Sequence, residues 1–283
     1  MKLVGHLTTT ACSGSFINSP LGLMFDPIEL AEVLLAARRP GQRLESMPES
    51  GAPSTIPEAY SVQDCLVHLL NKEFGPTVGY KVGCTNQGAR EMLNVESPFY
   101  GHCFTEEIHR SPATIRGDTL HMIGVEPEIA IRIGDDIPTA QLWTAKRVVN
   151  FVGEIMPAIE IVESRFSGWP RMGIHAAISD NGVHRKLILG ESILDWQETL
   201  ISGAKVELSA DQEIVRTGNA HNVDGGPFGV LAWLANEFNN RGLQLKSGDV
   251  VTTGVMTDIY DAYPSQRLVA EYKNLGTVEL NIS

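Results

Sequence analysis

The sequence has no cluster of lysine or arginine. Its formal net charge is −12, from 22 basic and 34 acidic residues. Nucleic acid is excluded as a partner, because neutralising phosphates calls for concentrated positive charge. Cysteine is scarce. Cys12, Cys65, Cys84 and Cys103 stand apart, and no C-x-x-C pair occurs. A disulfide framework or zinc knuckle has no basis, and a reducing cytoplasm is expected. Long apolar runs are missing as well. Nothing approaches the roughly 20 residues of a membrane helix, so no membrane partner is expected. The opening "MKLVGHLTTTACSGSF" lacks the apolar stretch of a secretory signal. There is no G-x-S-x-G, no P-loop and no G-x-G-x-x-G, and the histidines form no triad. Serine-nucleophile and nucleotide-dependent chemistry lose their usual signatures.

What is present fits a folded protein of one large domain, or a core with an attached segment. The chain has 283 residues, with 43% hydrophobic and 20% charged side chains. "DPIELAEVLLAARR" (26–39) predicts a helix, capped by Asp26, with Pro27 in its first turn and Glu29 completing a capping-box pattern. Pro40 ends it. The Pro-, Gly- and Ser-rich run that follows reads as a linker or a flap. A second helix starts after Thr55, where Thr55 and Glu58 form a T-x-x-E box and Val62, Leu66, Leu69 and Leu70 give an apolar stripe. From residue 78 the pattern changes to short alternating strands. One helix interrupts them, "PFGVLAWLANEFNNRG", with Phe228, Leu231, Ala235 and Phe238 on one face and Gly242 past its end. A closing hairpin turns at Asn274–Gly276. The plan is α+β, with a helical segment over 1–75 and a β-rich core over 76–283.

Within "VEPEIAIRIG", alternation puts Glu126 and Glu128 on the same face of a strand. Two like charges so close repel, and desolvating them unpaired costs several kcal/mol. The bland alternative is an exposed edge strand, which Pro127 would suit. In "MPAIEIVESRF", Glu160 stands between apolar neighbours, so it should be buried and compensated. If it joins the pair, three carboxylates converge, a donor set suited to Mg²⁺ or Mn²⁺. The competing reading pairs Glu160 with a buried Arg132 or Arg165. In "VGYKVGC", Lys81 is flanked on its own face by Gly79 and Gly83, which leaves open space on both sides for backbone or ligand to come close. Near a cation its ammonium should lose its proton more readily, making it a candidate proton shuttle. The alternative is a surface lysine. Thr252, Thr253 and Gly254 end a strand with hydroxyls and free N–H groups able to hold a carboxylate.

Taken together, "GYKVGCTN", "VEPEIAIRIGDDI", "PAIEIVESRF", "SDNG", "LILGE", "SGDVVTTG" and "AEYKNLGTVELNI" occur in the order seen in 2-keto-4-pentenoate hydratases. The chain resembles this branch of the fumarylacetoacetate hydrolase superfamily, which also holds 4-oxalocrotonate decarboxylases. The resemblance covers roughly residues 55–283. It implies a mixed β-roll core and a Mg²⁺ or Mn²⁺ site. The implied ligands are Glu126, Glu128 and Glu160, and the implied active-site lysine is Lys81. Thr253 and Gly254 fall on residues that contact the substrate carboxylate. Asn181 joins the substrate-binding candidates, and Arg185 or His184 is a candidate reader of a second substituent. The sequence departs from the family pattern at Phe99, where an aspartate is common. It departs again at Gly182 to Arg185, where small residues are common, and at Glu163, where an aspartate is common.

The implied activity is a metal-dependent hydratase of aromatic catabolism. It acts on a small 2-oxo or 2-hydroxydienoic acid, within a homo-oligomer. Alternatives on the same site are a 4-oxalocrotonate-type decarboxylase and an acylpyruvate C–C hydrolase. The latter usually needs a His–Glu pair, whereas "TNQGAREML" offers Glu91 without a histidine. A non-catalytic metal-containing subunit is the alternative from another class.

Overall fold

The computed structural model describes residues 17–18, 24–48 and 52–283, and Cys12 lies outside them. The first helix, α1 (Pro27–Ala36), starts as the sequence dictates. Asp26 accepts from the Ile28 and Glu29 backbone N–H groups, satisfying donors that no helical carbonyl can reach. The helix stops at Ala36, short of the expected 39, and turns carry the chain to Pro40. In α2 (Ile56–Phe74) the capping box is complete: Thr55 accepts from Glu58 N–H and the Glu58 carboxylate accepts from Thr55 N–H. Val62, Leu66 and Leu70 pack with Leu30 and Leu34 of α1 and with Phe104 and Phe166 of the core. Gln63 ties α2 down further, donating to the carbonyls of Tyr100 and Ile178. The run between the helices is no free flap at Leu44, which makes two backbone hydrogen bonds to the 165–167 segment.

Two mixed sheets form the core. The larger has eight strands. Its order is Phe99–Phe104, Thr77–Gly83, Val250–Thr252, Gly124–Ile133, Val152–Val162, His184–Leu189 and Ile108–Arg110, with Tyr260–Asp261 also pairing Gly124–Ile133. The smaller runs Glu213–Asn219, Lys205–Ala210, Arg267–Tyr272, Gly276–Ile282 and Ala113–Ile115. The last hairpin closes where expected, with Tyr272 opposite Gly276 and positive φ at Asn274 and Gly276. "KVELSADQEIV", which alternates like one strand, is a hairpin instead. It turns at Asp211 and Gln212, both with positive φ.

The edge reading of Pro127 is overturned. Its strand lies inside the large sheet, with neighbours on both sides. On one side Val250–Thr252 covers residues 130–132 and Tyr260–Asp261 covers 124–125. Pro127 falls in the break between them, where the ladder asks nothing of its missing N–H. The helix Gly226–Arg241 buries Phe228, Leu231, Ala235 and Phe238 and ends at Gly242 with φ +69.

Candidate active site

The strand pair Gly124–Ile133 and Val152–Val162 builds the centre of the site. Their antiparallel register sets Glu126 opposite Glu160 and Glu128 opposite Ala158. Val125, Ile129 and Ile131 point the other way, into the main core, as do Ile159 and Ile161. Burying that face forces the glutamates onto this one. One oxygen from each of Glu126, Glu128 and Glu160 lies within 4.8 Å of the others. Glu128 and Glu160 are fully buried and Glu126 nearly so.

Donors reach only part of this cluster. Gly254 N–H donates to Glu128 Oε2 at 2.7 Å. Lys81 Nζ lies 3.4 Å from Glu160 Oε1, and His184 Nδ1 lies 2.8 Å from the same oxygen. Among the described residues no N–H donor reaches Glu128 Oε1 or Glu160 Oε2, whose nearest polar neighbours are the other carboxyl groups of the cluster. Buried acceptors without partners are rare and costly. Three carboxylates facing one ammonium also leave negative charge in excess. Hard oxygen donors, converging and unsatisfied, fit a divalent cation.

Titration follows from the same packing. Burial raises Glu126 to about 7, against the pull of Lys81. Burial, with Glu160 and Glu126 nearby, holds Glu128 well above the usual carboxylate range. For Glu160 burial also pushes upward, but Lys81 and His184 outweigh it and its pKa is lowered. Burial disfavours the Lys81 ammonium, yet Glu160, Glu126 and Glu128 overcome this and raise it. The lowered Lys81 expected from the sequence presupposed a cation beside it.

The arginine alternatives for Glu160 fall away. Arg132 pairs with Glu154 at 3.0 Å, and Arg165 pairs with Asp180 at 2.6 Å and Glu163 at 3.0 Å. Other expectations need correcting. Of the two occupants the glycines beside Lys81 allowed, backbone takes the Gly79 side and not a ligand: a Cβ there would meet the Val250 carbonyl at 2.1 Å, because two strands pass closely. Thr253 donates its hydroxyl to the Ile129 carbonyl and does not line the pocket. Asn181 clasps His102, donating to its carbonyl and accepting from its N–H, so its amide oxygen and nitrogen both engage the Phe99–Phe104 strand. Arg185 turns to Glu107 and Glu163, at 3.0 and 3.2 Å. His184 belongs to Glu160 rather than to a substrate substituent.

A pocket of about 400 Å³ opens beside Lys81, Glu126 and Gly254. Thr85 lines it and was missed in the sequence, although it lies in the "GCTN" run. Gly254 explains the neighbourhood: its φ is +104, and a Cβ there would sit 1.8 Å from Thr85 Oγ1. Glycine is the residue that lets the backbone come close enough for its N–H to reach Glu128.

The family description "Fumarylacetoacetate (FAA) hydrolase C-terminal" matches residues 83–283. The chain belongs to the fumarylacetoacetate hydrolase family. This family member is 25% identical over 252 residues to 2-keto-4-pentenoate hydratase 2 of Dechloromonas aromatica (strain RCB), covering 89% of this chain and 95% of that protein. It is 23% identical over 252 residues to 2-hydroxyhexa-2,4-dienoate hydratase of Comamonas testosteroni, covering 88% and 95%. Among solved structures, 4-oxalocrotonate decarboxylase from Pseudomonas putida G7, complexed with magnesium and adipate, superposes with a TM-score of 0.82. That match has 22% identity and covers 91% of this chain and 97% of that one, so it shows a common fold. The α+β architecture with a helical N-terminal part is that of the family.

Proposed function

We propose that this fumarylacetoacetate hydrolase family member is a metal-dependent hydro-lyase. It adds water to a 2-hydroxy-2,4-dienoate and yields a 4-hydroxy-2-oxo acid. The observation that carries this reading is the buried Glu126–Glu128–Glu160 cluster, with unsatisfied oxygens, at the end of a pocket that also presents Lys81. The hydratase names of the curated relatives support the reaction class.

Glu126, Glu128 and Glu160 would hold Mg²⁺ or Mn²⁺, and magnesium in the decarboxylase structure supports that choice. The cation would supply Lewis-acid polarisation of the substrate's C1 carboxylate and C2 oxygen. This chain's residues do the rest. Gly254 N–H and His184 fix the orientation of Glu128 and Glu160. Lys81 Nζ holds and moves the proton between the C2 hydroxyl and the carbon chain. The apolar walls keep bulk water from competing for that proton. In this reading residues 76–283 form the catalytic core and 1–75 a helical attachment. We further expect a homo-oligomer working in the cytoplasm in aromatic catabolism.

The test is the ultraviolet absorbance of 2-hydroxypenta-2,4-dienoate. It should decay with Mg²⁺ present, persist in excess chelator, and decay again when Mg²⁺ is restored. Full turnover in chelator refutes the scheme.

A further inference from the structure

Beyond its acidic end the pocket has an apolar wall, to which Phe99, Val162, Trp169 and Val183 contribute. Phe99, Val162 and Val183 are buried and belong to elements tied into the core. Trp169 is different. It is half-buried and sits in a run of turns, residues 167–172, between Phe166 and the short helix Gly173–Ser179.

The start of that loop is well anchored. Arg165 N–H donates to Asp180 Oδ2 at 2.9 Å, and Phe166 is buried in the cluster that joins α1 and α2 to the core. The next holds come from far away in the chain. Leu44 N–H donates to the Arg165 carbonyl at 2.8 Å, and Ser167 N–H donates to the Leu44 carbonyl at 2.8 Å. This is a parallel bridge that sets Leu44 beside Phe166. Ser167 Oγ then donates to Glu45 Oε2 at 2.8 Å. Leu44 and Met47 pack against the same apolar cluster as Phe166. The segment between the two N-terminal helices therefore clasps the loop two residues before Trp169.

We infer that Leu44 and Glu45 are positioning residues for the pocket: their clasp on 165–167 holds Trp169 in place as a wall for the bound acid. The inference rests on the hydro-lyase reading for the identity of that acid, and it gives the N-terminal attachment a part in the site. Lys81 and the three glutamates stand on sheet strands, so loosening the clasp leaves the reacting groups where they are. It lets the Trp169 loop sample more conformations, and a ligand must then order the loop as it binds. The cost falls on binding and spares the chemical step.

Three variants test this. Leu44→Pro removes the N–H that reaches Arg165. Glu45→Ala and Ser167→Ala each remove the side-chain bond. Thr55→Ala, which weakens a helix cap elsewhere, is the control for general loss of stability. Two readouts are taken with Mg²⁺ present: KM and kcat on 2-hydroxypenta-2,4-dienoate, and calorimetric Kd for 2-oxopentanoate. A third needs no ligand. Arg171 is exposed in the loop, so the rate of tryptic cleavage after it, followed by mass spectrometry, reports loop opening. We expect Leu44→Pro to raise KM and Kd about tenfold, with kcat within about twofold, and to speed cleavage after Arg171 by a similar factor. Glu45→Ala and Ser167→Ala should each give about a threefold change, and together no more than either alone. They carry the test if Leu44→Pro fails to fold. Thr55→Ala should move none of the three.

Unchanged cleavage in the clasp variants overturns the clasp. Faster cleavage with unaltered KM and Kd overturns its role in the pocket and leaves the hydro-lyase reading intact. No turnover of the dienoate by the unmodified protein, with 2-oxopentanoate binding still weakened in the variants, overturns the hydro-lyase reading and upholds the positioning role.

Discussion

Two nitrogens, Lys81 Nζ and His184 Nδ1, reach the same oxygen of Glu160 and leave its other oxygen bare. Two further carboxylates crowd the same space. Replacing Glu126 by glutamine keeps the shape and removes one negative oxygen donor. Glu126→Gln should lower kcat by at least about a hundredfold. Circular dichroism should be unchanged, which separates lost chemistry from lost fold. Gly254 is constrained differently. Its positive φ and its contact with Thr85 leave no room for a Cβ. Gly254→Ala should cost about 1–3 kcal/mol in urea unfolding and weaken Mg²⁺ binding, because the N–H on Glu128 must move. A stable Gly254→Ala protein with unaltered metal affinity would contradict this account. The glutamates were legible in the sequence because charge in an apolar alternating run demands compensation, whereas Lys81 stood out only by its flanking glycines and the family resemblance. The roles of Thr253, Asn181 and Arg185 were not, since their short-range partners Ile129, His102 and Glu107 come from other segments.

Helices declared themselves through local chemistry. Asp26 and Thr55 satisfy donors a few residues away, so their caps can be read without knowing the fold. Removing the Thr55 cap tests this at the level of one element. Thr55→Ala should destabilise the protein by ~1 kcal/mol in urea titration and leave kcat unchanged, since α2 supplies none of the catalytic groups and Thr55 caps its far end, away from the Gln63 and Tyr60 contacts with the core. Strands were less transparent. Alternation gave the face of Glu126 and Glu128, but not which strand lies alongside. Pro127 argued for an edge and sits inside an eight-stranded sheet, because a break between two neighbouring strands accommodates it. Gly79 suggested space, and a passing strand fills that space.

For the whole molecule, a cation bound by the folded chain and not by the unfolded one must stabilise it. At a hundredfold excess over Kd, Mg²⁺ should add about 2.7 kcal/mol to the unfolding free energy and raise Tm. Chelator should abolish the rise, and Glu126→Gln should shrink it. An unchanged Tm with Mg²⁺ would count against a cation at this site. The sequence alone determined that three acidic side chains and one lysine lay in apolar strands, and that helices preceded a β-rich core. Those features follow from local periodicity, capping and the cost of buried charge. Only the tertiary structure decided that Glu160 stands opposite Glu126, that Gly254 and His184 hold the cluster, and that the pocket walls are apolar. Strand register and cross-sheet approach depend on contacts between segments remote in the chain, and no local pattern encodes them.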